Sequence, residues 1–343
     1  MSAMVQSWLW EGYWHLACHR SEVAKPRDFV RFDVDGKELV VFHDGADVIA
    51  FDNLCPHRGA RLFTESAGNA AFLCAYHGWS YAKGRLFYGR KDQFAHCAGQ
   101  EPQLNKHHTA WVGDFLFVAI APRHTVEQQL GGMRSVVERI SRAIDYRYDL
   151  NSYTYDCIWQ VAIENALEPY HVSAVHPETL GSLALERGTD SFYGVNSIWE
   201  TPIGDKRIDR NVEKLSSKIQ FPERFPGYQN IYLFPYSMIS STYGISFSIQ
   251  NFFPSHRENE ANFYSRLFPA KLNPAANKTV FDHFFSSTAE MNRRIFKEDA
   301  EICRRVPATS WHSDDPAFYA ESEARLVHFR QCYRAAAAAW RTC

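Results

Sequence analysis

Two thiols and two imidazoles share one short stretch of this chain, as Cys55-Pro56-His57 and, after sixteen intervening residues, Cys74-Ala75-Tyr76-His77. Two sulfur and two nitrogen donors suit a [2Fe-2S] cluster with imidazoles on one iron, a substitution that removes negative charge and raises the potential above that of an all-thiolate cluster. The same donors also suit a tetrahedral structural zinc. The flanking residues argue for the cluster, because Gly59 and Gly78 directly follow Arg58 and His77, where loops must wrap tightly and present backbone N–H groups to sulfur. A zinc knuckle does not need both loops built this way. The chemistry indicated is one-electron transfer.

A second group of candidate ligands lies in Glu164-Asn165-Ala166-Leu167-Glu168-Pro169-Tyr170-His171 and the following Val172-Ser173-Ala174-Val175-His176. The spacing predicts that Glu168 and His171 share a helix face, with Pro169 distorting the helix beside them. Two histidines in a chain with 15 of them are weak evidence alone, so a third ligand decides the matter. Helical spacing in Arg294–Cys303 places Asp299 on the apolar face of Ile295, Ile302 and Val306, while Glu298 and Glu301 face elsewhere. A carboxylate on an apolar stripe needs a cation, either an arginine or a metal. His171, His176 and Asp299 would compose a 2-His-1-carboxylate triad, which binds Fe(II) and leaves adjacent positions open.

Cys55-Pro56-His57-Arg58-Gly59 and His77-Gly78-Trp79-Ser80-Tyr81 closely resemble the two cluster-binding loops of Rieske proteins, with Ala75 where that family usually carries proline. With the His-x4-His segment and a late Asp in an acidic amphipathic helix, the whole chain resembles the catalytic α subunit of Rieske non-haem iron oxygenases. The resemblance implies an α+β fold, an N-terminal all-β Rieske domain plus a C-terminal helix-grip catalytic domain with a central antiparallel sheet. It also implies a [2Fe-2S] cluster on Cys55, His57, Cys74 and His77, mononuclear Fe(II) on His171, His176 and Asp299, and O2 as co-substrate. A flavin/iron-sulfur reductase or ferredoxin would supply electrons, so NAD(P)H acts only indirectly. Glu168 would bridge His171 to His77 of a neighbouring subunit in a homotrimer; most members use Asp there, and Glu resembles the subset acting on quaternary amines such as carnitine. Tyr76 and Trp79 are expected to bracket the exposed cluster histidine.

The elements that must position these groups follow from pattern. Phe29–Val34, Glu38–Phe42 and Val48–Phe51 read as a β-meander turning at Asp35-Gly36 and Asp44-Gly45, and Arg85–Phe87 and Phe115–Ile120 as further strands. Residues 1–122 are thus expected to form the cluster domain. Helical spacing at Met133, Val137, Ile140 and Ile144 opens a second domain, 123–343, which carries strands between Ile231 and Phe253 and a last helix ending near Trp340. Aromatic residues of that strand region, among them Tyr232, Phe234, Tyr236 and Phe247, serve equally well as pocket lining or as core.

The chain has 343 residues, 45% hydrophobic and 15% aromatic, enough for sizeable cores, and a net charge of −2 that offers no basic surplus for nucleic acid or membrane. No apolar run reaches a membrane span and no signal peptide is apparent, so a cytoplasmic protein is expected, with Cys18, Cys97, Cys157, Cys303, Cys332 and Cys343 as reduced thiols. His15 and His19 near Cys18 are read as packing residues. The functional expectation is a terminal oxygenase that hydroxylates or oxidatively demethylates a small organic substrate. The alternatives are an aromatic-ring cis-dihydroxylating dioxygenase and, in a different class, a Rieske electron-transfer or redox-sensing protein without oxygenase activity.

Overall fold

The alternation in Asp28–Val34 sets the first layer: Val30, Phe32 and Val34 are buried, while Arg31 and Asp33 on the other side are only partly covered. Asp35 and Gly36 both take positive φ (55° and 74°), the geometry that a two-residue hairpin demands. The structure, a computed structural model, describes residues 7–97, 101–185, 188–220, 225, 227–313 and 318–341. In it the strands of the meander are β2 (Asp28–Val34), β3 (Lys37–His43) and β4 (Val48–Asp52). They join β1 (His15–His19), β5 (Ala67–Asn69), β8 (Lys106–Val112) and β9 (Phe115–Ala119) in a seven-stranded sheet of order β1-β9-β8-β4-β3-β2-β5. The short hairpin β6 (Ser80–Ala82) and β7 (Arg85–Phe87) stands beside it.

A second sheet of seven antiparallel strands runs β10-β16-β15-β14-β13-β12-β11, comprising β10 (Asp149–Tyr155), β11 (Thr189–Tyr193), β12 (Asn196–Thr201), β13 (Tyr228–Leu233), β14 (Ser237–Thr242), β15 (Ser246–Pro254) and β16 (Ala261–Pro269). Its two faces are filled by alternate residues. Ile198, Ile231, Ile239, Phe247 and Ile249 pack with the Arg134–Ala143 helix and with Phe115 and Phe117 of β9. Tyr232, Met238, Phe252 and Phe263 pack on the other side with the Trp159–Leu167 helix, the long Lys278–Cys303 helix and the C-terminal Ala324–Arg341 helix. The fold is α+β as expected, with a β layer first and helices gripping an antiparallel sheet after it.

β1 and β8 were not expected as strands. His15 is buried and stacks between Trp10 and Tyr236, and His19 caps the turn after β1 through Ser21 N, so both are packing residues. Cys18, Cys157, Cys303 and Cys332 carry free thiols; the Cys97 side chain and Cys343 lie outside the described residues. Among the described residues no helix is long and apolar enough to cross a membrane.

Candidate metal centres

The two cluster loops are hydrogen-bond copies of one another. Cys55 N donates to Ala60 O at 2.8 Å and Gly59 N to Cys55 O at 2.9 Å; in the second loop Cys74 N donates to Trp79 O at 2.7 Å and Gly78 N to Cys74 O at 2.9 Å. Gly59 and Gly78 both have φ of 72°, which closes each loop at a conformation a side chain resists. The thiols of Cys55 and Cys74 are buried, and burial, followed by the neighbouring Cys74, pushes the Cys55 thiol up. The two Nδ1 atoms of His57 and His77 lie 3.1 Å apart, aimed at one point. Buried sulfurs on one side and converging imidazole nitrogens on the other fit a [2Fe-2S] cluster with both histidines on one iron.

Aromatic packing around these loops differs from the expectation in one respect. Tyr76 lies on His77 at 4.2 Å between centroids, but Trp79 stacks on His57 at 4.9 Å and is itself covered by Tyr88. Trp79 therefore shields the half-buried histidine, and His77 stays exposed beside Tyr76. Leu54, Leu73 and Tyr76, each adjacent to a candidate ligand, are also exposed.

The second site departs from a continuous helix. Trp159–Leu167 ends where Pro169 forces the preceding residue out of the helical region, and Glu168 is extended at ψ 140°. Chain direction is then recovered by Glu168 itself, whose Oε2 accepts from His171 N at 3.1 Å and whose Oε1 contacts His171 Nδ1 at 2.6 Å. His171 precedes the single turn Val172–Val175, and His176 closes it. Glu168 and His171 are thus joined across a break, not along one helix face.

Asp299 comes from the long helix, 123 residues beyond His176 in sequence, and its Oδ1 lies 2.9 Å from His176 Nε2 and 3.6 Å from His171 Nε2. One ligand atom from each of the three residues falls within 4.8 Å of the others. Asn165 Nδ2 donates to Asp299 Oδ1 at 2.7 Å, and Glu164 pairs with Arg330 of the C-terminal helix, which anchors the helix that carries Asn165. Glu298 does not face elsewhere: its Oε2 lies 2.7 Å from His176 Nδ1 and accepts from Thr179 Oγ1 at 2.6 Å. Each triad imidazole therefore has Nδ1 on its own glutamate and Nε2 toward Asp299. Val306, expected on the face of Asp299, lies beyond the helix end at Cys303.

Electrostatics match a cation site. Burial opposes protonation of His171, but its hydrogen bonds to Asp299 and Glu168 outweigh burial and hold it up at about 9. Burial likewise raises Asp299, and the two imidazoles more than offset this and keep its carboxyl below the usual range. Three carboxylates gathered on two imidazoles, with Nε2 atoms and one carboxylate oxygen converging, fit a divalent iron.

The triad opens onto a partly open cavity lined by Leu167, Val172, Leu180, Ile295 and Phe296 beside the ligand residues. One wall comes from the second sheet, where Trp199 pairs with Asn230 and Asn230 with Ser240, and Gln250 of β15, two positions along from Ser248 opposite Ser240, lines it too. Of the two readings left open for Tyr232, Phe234, Tyr236 and Phe247, pocket lining or core, the structure gives core. Tyr232 and Phe247 point to opposite cores of the sheet, and the strand residues that line the pocket are Trp199, Tyr228, Asn230, Ser240 and Gln250.

Comparison with known proteins gives two profile matches, described as the Rieske [2Fe-2S] domain over residues 13–93 and the ring hydroxylating alpha subunit (catalytic domain) over residues 137–339. The chain is 29% identical over 183 residues to the 2-halobenzoate 1,2-dioxygenase large subunit of Burkholderia cepacia, covering 49% of this chain and 39% of that one. It is 26% identical over 272 residues to the carnitine monooxygenase oxygenase subunit of Acinetobacter baumannii, covering 74% and 69%. The structure matches that of a quaternary ammonium Rieske monooxygenase in complex with L-carnitine with a TM-score of 0.75 at 18% identity, over 96% of this chain and 90% of that one.

Proposed function

Since the chain belongs to the ring-hydroxylating α-subunit family, with a Rieske domain ahead of the catalytic domain, we propose that it is a terminal oxygenase that hydroxylates or oxidatively demethylates a small organic substrate. Residues 1–122 form the cluster unit, with Cys55, His57, Cys74 and His77 as ligands, and residues 123–343 the catalytic unit, with His171, His176 and Asp299 holding Fe(II). When bound, the cluster supplies electrons one at a time and the iron a place to activate O2. The observation that carries this reading is the convergence of three ligand atoms within 4.8 Å at the cavity.

The chain's own residues do the positioning. Glu168 and Glu298 fix the tautomer of each triad imidazole, so that Nε2 is left free for metal. Asn165 holds Asp299 Oδ1. Glu168 also bridges toward His77 of a neighbouring subunit in a homotrimer; the exposure of His77 and of the adjoining Leu73 and Tyr76 supports this. Electrons arrive from a flavin/iron-sulfur reductase or ferredoxin that takes them from NAD(P)H, and the protein acts in the cytoplasm. Monooxygenation is preferred to ring dihydroxylation because Glu168 resembles the quaternary-amine subset and the carnitine relative aligns over 74% of the chain against 49% for the 2-halobenzoate relative.

The test combines metal analysis with turnover. Purified protein should hold cluster iron with a Rieske electron-spin signal plus one further iron, and a reductase should drive substrate-dependent O2 uptake, with formaldehyde and diol products measured separately. Zinc in place of iron, or a cluster without the further iron, would refute the reading.

A further inference from the structure

Among the described residues, two arginines of the catalytic unit are fully buried, and their surroundings differ. Arg266 on β16 is 0% exposed and makes an ion pair with Glu22 at 3.1 Å. Arg325, in the first turn of the C-terminal helix, is 1% exposed and lines the triad cavity. Its Nε donates to Ser197 Oγ at 3.0 Å, its Nη1 reaches the Leu167 carbonyl only at 3.5 Å, and its Nη2 has no hydrogen-bond partner. Among the described residues Arg325 forms no ion pair; Asp190 is near enough to be felt, yet its own Oδ1 is also without a partner.

A guanidinium is always charged, presents its donors in a rigid fork, and is costly to keep in a low-dielectric site without an anion. The carboxylates of the metal centre cannot serve, because Glu168, Glu298 and Asp299 are each committed to an imidazole. Arg325 lines the cavity, so an anion bound there would supply the charge partner that the protein withholds. Beside Arg325 the wall offers the amide of Asn230, whose Oδ1 has no partner, the hydroxyl of Ser240 and the ring of Trp199. That row supports the uncharged body of a small molecule whose anionic end is held by the arginine.

We propose that Arg325 determines specificity by binding the carboxylate of an organic-acid substrate through its unused Nη2 donor. This rests on the oxygenase reading and deepens it, naming the substrate class as small carboxylic acids whose oxidisable carbon extends from the carboxylate toward the triad.

Binding is measured by calorimetry on the purified, metal-loaded protein without O2 or reductase, using benzoate, butyrate and trimethylglycine, each against its primary amide. At least one acid should bind ~10- to 100-fold more tightly than its amide, the span expected of a charge-assisted hydrogen bond. Arg325→Gln should bring that ratio to about 1, while Asp190→Asn, which removes the competing carboxylate, should tighten acid binding by ~3- to 10-fold. Equal binding of acids and amides, no acid binding at about 10 mM, or a ratio that survives Arg325→Gln overturns the proposal. If Arg325→Gln does not fold, the wild-type comparison and Asp190→Asn still decide. Metal content and O2 uptake are measured separately: uptake without acid preference overturns the role of Arg325 and leaves the oxygenase reading standing, whereas acid preference without uptake does the reverse.

Discussion

Cys55–Ala60 and Cys74–Trp79 each close on themselves with two backbone hydrogen bonds, and their histidines are 20 residues apart along the chain. His171, His176 and Asp299 need two helix ends, a proline break and a glutamate behind each imidazole before three ligand atoms meet. In the first region backbone holds the candidate ligands; in the second, side chains do. Loss of a single side chain should therefore be severe at the triad and mild at the loops, unless it is a ligand itself.

The largest expected effect comes from Asp299→Ala, which should remove the mononuclear iron and turnover entirely while the Rieske electron-spin signal persists, about three irons per chain falling to about two. Concurrent loss of the cluster signal would break the comparison by making the two sites one unit. Next, Glu168→Gln should lower turnover on the order of 100-fold with both metals in place. Single-turnover oxidation of the reduced cluster separates the roles of Glu168: a slowed electron step marks the bridge, whereas weakened iron alone marks a brace for His171. Glu298→Gln should weaken iron binding roughly 10-fold, seen as faster loss of iron to a chelator. Smallest of all, Gly78→Ala meets nothing within 4 Å, so only the backbone at φ 72° resists it, and thermal unfolding should register a cost of about 1–2 kcal/mol with the cluster retained.

The same contrast explains what could be read in advance. Both cluster loops were legible because ligands, glycines and turns are all local, and the β2–β4 meander was legible through its Asp-Gly turns. For His171, His176 and Asp299 the apolar stripe around a carboxylate left an arginine or a metal open, and the family resemblance supplied the triad. Glu298 was missed because a helical wheel built on its own apolar residues cannot show His176 and Thr179 arriving from another segment. Pro169 was seen, but its effect was read as a distortion when it ends the helix outright. The pocket wall was left open between lining and core for a different reason. Strand alternation sends Ile231 and Leu233 to one core and Tyr232 to the other, and the row that faces the cavity is Trp199, Asn230 and Ser240, one aromatic and two polar residues that carry no common signature in a linear sequence.

The pairing of β10 with β16 has a consequence in time. Asp149–Tyr155 must find Ala261–Pro269 across the intervening chain, and only afterwards does the long helix bring Asp299 to His176. Closing a loop of 123 residues costs about 1.6 kcal/mol more in chain entropy than closing one of 20. The cluster loops can thus take shape while the ribosome still holds the C-terminal half, whereas the triad waits for nearly the whole chain. On that order, the segment proposed to hold sulfur-bridged iron is complete before the one proposed to hold the lone ion.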